Sequence, residues 1–83
     1  MYFIYILYSV SANKYYVGHT DNLERRLFEH NNGMTRFTSN IASDWIIMYT
    51  ETFESRALAA KREREIKARK SRVHIKSLIA NVG

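Results

Sequence analysis

Side chains able to do chemistry gather at four places in the 83-residue chain: Tyr5 and Tyr16, Arg26 with His30, the carboxylates Glu63 and Glu65, and the run Lys67, Arg69, Lys70, Arg72 and Lys76. The basic run carries the plainest signal. Acidic and basic side chains balance over residues 1–66, so the whole net charge of +5 lies beyond Glu65. An unneutralised basic segment points to a polyanionic partner, because each phosphate contact releases condensed counterions. A solvated basic helix face is the structural alternative.

The arginine and histidine sit on a helix that starts near Asn22, after the N-cap side chains Thr20, Asp21 and Asn22, with Glu24 in capping-box position relative to Asp21. Leu23 and Leu27 define its inward face. Arg26 lies about 60° from Leu23 at 100° per residue, with His30 further along the same side. Arg25 points away, beside Glu29, where an ion pair is expected. A guanidinium and an imidazole bordering an apolar face need partners, since burying either alone is costly. Alternatively Arg26 snorkels and His30 caps the helix end.

Tyr5 and Tyr16 belong to adjacent extended runs, and buried phenols also need hydrogen bonds. Gly18, two residues after Tyr16, shares its face and leaves space there. In a later helix with Leu58, Ala59 and Ile66 inward, Glu63 borders one edge of the stripe and Glu65 the other. Either could look into a site, or simply pair with surface lysines and arginines.

These residues require a scaffold that the pattern supplies. The aromatic and β-branched run Tyr2 to Val10 reads as a buried strand, and Tyr15 to His19 as its hairpin partner. A helix follows over about Asn22 to Asn31, stopped by Asn31, Asn32 and Gly33. A polar stretch to Asp44 reads as a functional or mobile loop. Trp45 to Thr50 is a third strand, Ser55 to Arg69 a long helix, and Ser71 to Asn81 a last one with Ile75, Leu78, Ile79 and Val82 in one stripe. The fold class is therefore α+β: a three-stranded, largely antiparallel sheet covered by helices, in a single domain over residues 1–83.

Composition narrows the possibilities. With 46% hydrophobic, 13% aromatic and 25% charged residues the chain should fold along its whole length. Cysteine is absent, which excludes disulfides, thiolate metal sites and a cysteine nucleophile. No segment approaches the length of a membrane span, and the opening run lacks the basic start of a signal peptide. A cytoplasmic protein without membrane contact is the expectation.

Phe3-Ile4-Tyr5 followed by Tyr16-Val17-Gly18 resembles the paired tripeptides of the GIY-YIG nuclease superfamily. The order continues through Thr20-Asp21-Asn22-Leu23, Arg25-Arg26-Leu27, Glu29-His30-Asn31, Gly33, Thr38, and Glu63 with Ile66-Lys67. The set is similar to the small single-domain, UPF0213-like bacterial subfamily. Phe3 replaces the signature glycine, Ser43-Asp44 stands where a proline is usual, and Asn81 is the candidate for a C-terminal asparagine of some repair members.

The resemblance implies a hydrolytic endonuclease using one divalent cation, Mg2+ or Mn2+. It implies that Tyr16 activates the attacking water, Arg26 steadies phosphate charge, Tyr5 orients water or phosphate, and Glu63 is the protein ligand of the metal, with Glu65 the alternative. His30 relays a proton or holds a tyrosine. Phosphodiester cleavage asks for these functions, and a cation that keeps most of its waters manages with one carboxylate. Lys67, Arg69, Lys70 and Arg72 would bind nucleic acid, DNA rather than RNA. Damaged, branched or single-stranded forms, as in DNA repair, suit so small a chain; sequence-specific cutting would require a homodimer or a partner protein. The competing readings are a nucleic-acid-binding module that does not cleave and a domain that assembles with proteins.

Overall fold

The computed structural model describes residues 1–35 and 41–81. Its N-terminal run forms β1 (Tyr2–Ser9), which turns back into β2 (Lys14–Thr20). Asn13 closes that turn with φ 53°, a left-handed conformation that asparagine tolerates through local hydrogen bonding. Its Oδ1 accepts from the Tyr8 hydroxyl at 2.8 Å. The remaining elements are α1 (Leu23–Asn31), β3 (Trp45–Phe53), α2 (Arg56–Ala68) and α3 (Arg72–Ala80).

The helix starts follow ordinary capping chemistry. Ser55 accepts from the backbone N–H of Leu58, and Ser71 from that of His74. At α1 the cap is Asn22, whose side chain accepts from Arg25 N, and not Asp21 as the capping-box spacing suggested. The Asp21 carboxylate is occupied by the Arg25 guanidinium at 2.7 Å.

The sheet has the order β2-β1-β3 with both pairings antiparallel. β3 runs past Thr50 because its last residue, Phe53, still pairs with Tyr2. The pleat sorts β1 by parity. Ile4 and Ile6 join Val17, Ala59 and Ile66 in an aliphatic cluster, closed by Ile75, Leu78 and Ile79 of α3. Tyr5 and Leu7 turn to the other side, with Trp45, Tyr16 and the α1 residues Leu23 and Leu27. One face thus carries α2 and α3, and the other carries α1.

Two details of the stripes differ from expectation. Leu58 is half exposed; Ala59 and Ile66 alone bring α2 into the buried cluster. Val82 of the α3 stripe and Thr38 of the motif series lie outside the described residues. The segment before β3 is tied down without proline: Asp44 accepts from the Ser9 hydroxyl and from both the N–H and the hydroxyl of Ser11. Asn31 clamps the end of α1 to β3, donating to Trp45 O at 3.0 Å and accepting from Trp45 N at 2.7 Å. Among the described residues no helix is long and apolar enough to cross a membrane.

Candidate active site

Tyr5 is the centre from which the site is built. It pairs across the hairpin with Gly18, and the glycine is a steric requirement. A Cβ there would lie 2.5 Å from the Tyr5 hydroxyl oxygen and 2.7 Å from Cζ. The ring, 2% exposed, directs its hydroxyl at α1. His30 Nε2 lies 2.9 Å from that oxygen, and Arg26 Nε donates to it at 3.3 Å. Tyr16 is on the same face, its ring centroid 4.9 Å from that of His30 and 6.3 Å from that of Tyr5. Tyr5, Tyr16, Arg26 and His30 therefore meet between β1, β2 and α1.

Burial sets the protonation states here. It pushes the Tyr5 phenol up to about 12, against the lowering effect of the Arg26 hydrogen bond. The same cause pulls His30 down to about 4, and the nearby Arg26 charge adds to it. For Arg26 itself burial opposes the charge, but hydrogen bonds to Tyr5 and Glu29 hold its pKa above the usual value. At neutral pH the group is a protonated phenol, a neutral imidazole and a cation. Since arginine can only donate, the Tyr5 oxygen accepts from it and can pass its own proton toward His30 Nε2. His30 Nδ1 then faces Thr35 Oγ1 at 3.3 Å.

The ion pairs on α1 differ from the expected Arg25–Glu29 contact. Arg25 reaches back to Asp21 at 2.7 Å, and Glu29 pairs with Arg26 at 3.1 Å. Arg26 is thus held from both sides, by Tyr5 and by Glu29. It opens into a cleft of about 420 Å³ where Arg25, Arg26, Arg56 and His19 stand against Asp21 and Glu29.

Glu63 arrives from elsewhere. It belongs to α2, which packs on the sheet face opposite Tyr5 and Tyr16, but β2 is an edge strand. The Glu63 carboxylate binds His19 Nδ1 at 2.7 Å and Lys67 Nζ at 2.8 Å. Lys67 Nζ in turn lies 5.4 Å from the centroid of the Tyr16 ring, and the Glu63 charge is felt at the Tyr5 hydroxyl. Glu63 and the two tyrosines thus lie on opposite faces of the sheet, and the cluster meets only around the free edge of β2. Glu65 is more than half exposed and reaches Arg62 only at 3.8 Å.

Among the described residues no three His, Cys, Asp or Glu side chains gather as a metal cage. Glu63 alone still fits a hard cation that keeps most of its waters. Burial would raise its pKa, but hydrogen bonds from Lys67 and His19 hold it below the ordinary carboxylate range, so it stays ionised. Both of its oxygens are occupied by protein side chains, His19 and Lys67, which a metal ion would have to displace.

Of the basic residues, Lys67, Lys70 and Arg72 line a second cavity between β2 and the α2–α3 junction. Arg69 is the exposed C-cap of α2, outside that lining. Asn81 is the exposed C-cap of α3. The sequence reading missed His19 and Arg56. His19 has the parity opposite to Tyr16, and only the position of α2 gives it a partner. For Arg56 no local signal exists.

The model of the GIY-YIG catalytic domain matches residues 1–76. A UPF0213 protein of Natronomonas pharaonis is 35% identical over 66 residues, covering 80% of this chain and 76% of the relative. One of Staphylococcus saprophyticus is 34% identical over 65 residues, 78% of each. A third, of Halobacterium salinarum, is 33% identical over 67 residues, 81% of this chain and 86% of that protein. No solved structure matches the chain.

Proposed function

Because the chain belongs to the GIY-YIG catalytic domain family, a family of nucleases, we propose that it is a divalent-metal-dependent endonuclease hydrolysing phosphodiester bonds in DNA, directed by structure more than by sequence. The observation that carries this reading is the Arg26–Tyr5–His30 network beside Tyr16, with an ionised Glu63 across the β2 edge. Arg26 is held at a cleft and offers its remaining donors to a phosphate. Tyr5 keeps its proton up to about 12 and so acts as a donor and positioning hydroxyl. His30, neutral, fixes the direction of that hydroxyl. Proton transfer from the attacking water is left to Tyr16, which shares its surroundings with His30 and Lys67.

A bound Mg2+ or Mn2+, held by Glu63, would neutralise phosphate charge and lower the pKa of a coordinated water. Lys67, Arg69, Lys70 and Arg72 supply the sequence-independent attraction for the strand. A cytoplasmic location and a role in DNA repair accord with this chemistry.

One observation favours a second reading. Both Glu63 oxygens already face protein side chains, His19 and Lys67, as a module that binds without cutting would allow. A panel of duplex, branched and single-stranded DNA with magnesium, manganese or chelator separates the two. Glu63→Gln should cut at least about a hundredfold more slowly while retaining affinity. Wild-type protein that binds DNA and cuts nothing with either ion would leave the binding module.

A further inference from the structure

The cavity between β2 and the α2–α3 junction has a composition that the cleavage site does not use. Its volume is about 350 Å³. Val17 and Ile66, both buried, form an apolar floor with Ile75 and Tyr15. Lys14, Lys67, Lys70 and Arg72 stand around it, and no carboxylate lines it. A bare inorganic anion would leave the floor unused, and an uncharged ligand would leave Lys14, Lys70 and Arg72 without a counter-charge, Lys67 being paired with Glu63. The lining suits a molecule that is both flat and apolar at one end and anionic at the other.

Arg72 is prepared for such a molecule. Its guanidinium donates to the backbone oxygen and Oδ1 of Asn13 and lies 5.0 Å from the Tyr15 ring centroid. A guanidinium over an aromatic ring can offer a stacking surface to a nucleobase. Lys67 belongs to both places: it lines the cavity, binds Glu63 and lies over Tyr16. The volume, at the small end of ligand sites, admits one nucleotide and no duplex.

We infer that this cavity is a subsite for one unpaired nucleotide of a nucleic-acid strand crossing the β2 edge, its base on the apolar floor and its phosphate among the lysines. The inference deepens the nuclease reading and rests on it for the strand. It implies that the substrate carries an unpaired nucleotide beside the bond to be cut.

Methyl resonances of Val17, Ile66 and Ile75 in the full chain give the test, with chelator present so that nothing is cleaved. An oligothymidylate should shift all three, and a fully paired duplex should not. The same sugar–phosphate chain without bases should bind about tenfold more weakly or worse. Thymidine monophosphate should shift the same methyls only at far higher concentration. Lys70 has φ 48°, so Lys70→Gly removes a charge while easing the backbone; it should melt no lower and bind the oligothymidylate about threefold to tenfold more weakly. Equal shifts with duplex, equal affinity for the base-free chain, or tighter binding of the free nucleotide would each overturn the inference. Because none of these readings uses cleavage, methyl shifts in a protein that never cuts would support the subsite while the nuclease reading fails. Cutting with silent methyls would overturn the subsite alone.

Discussion

Ile4 and Tyr5 are neighbours in β1, 0% and 2% exposed, and they face opposite layers of the molecule. Ile4 meets hydrocarbon: Ile6, Val17, Ala59 and Ile66, with α3 closing the cluster. Tyr5 meets a guanidinium and an imidazole, with Thr35 one hydrogen bond further. The first layer gains from removing apolar surface from water. The second must satisfy every polar atom it buries merely to offset desolvation. Equal burial therefore has different meanings on the two faces. One face is closed by apolar contacts; the other combines an apolar cluster around Leu7 and Trp45 with buried polar groups that cost stability.

The largest expected effect is on the aliphatic side. Ile4→Ala should lower unfolding free energy by about 2–5 kcal/mol, a large share of the roughly 5–15 kcal/mol typical of a domain, when measured by urea denaturation. Its residual folded fraction should keep the pH response described next.

That response comes from the other face. Below pH 6.5 the unfolded chain takes up a proton at His30 that the folded chain refuses until about 4, because burial opposes the charge. Stability should fall as pH is lowered through that window, by about 3 kcal/mol in full and about 2 kcal/mol between pH 7 and pH 5. The second interval lies above the range where the carboxylates protonate. Denaturation at both values, compared with His30→Gln, checks it: the variant should start less stable and lose much less. A wild-type profile flat between pH 7 and 5 would mean that His30 charges inside the fold, and the two layers would no longer differ in kind.

The smallest effect is that of Tyr5→Phe, which keeps the ring and deletes the hydroxyl. Leaving His30 Nε2 and Arg26 Nε short of one partner should cost about 1–2 kcal/mol, while cleavage falls more steeply. A cost equal to that of Ile4→Ala would show that the hydroxyl serves packing, and the comparison would break.

Much of this arrangement was legible before any coordinates. Strand parity put Tyr16 and Gly18 on one face, and helical period put Arg26 with His30 beside the Leu23–Leu27 stripe; the register that sets Tyr5 opposite Gly18 came from the hairpin itself. What periodicity could not tell was which partner each group would choose. Asn22 capped α1 in place of Asp21 because Arg25 had claimed the aspartate. Glu29 went to Arg26 because Tyr5 draws that guanidinium to the same side. Leu58 and Ala59 adjoin in the stripe, and only the approach of the sheet decided that Ala59 would be buried and Leu58 exposed.

The order of elements, the alternation of side chains within each element and the surplus of positive charge after Glu65 follow from the sequence by itself, the alternation because it depends on spacings of two to four residues along one backbone. The meeting of Glu63 with His19 spans 44 residues. It required β2 to be the edge of the sheet and α2 to pack on the face away from the tyrosines. Both are outcomes of layer packing, set by which apolar surfaces find one another. Only that packing made Lys67 a common wall between Tyr16, Glu63 and the cavity beyond.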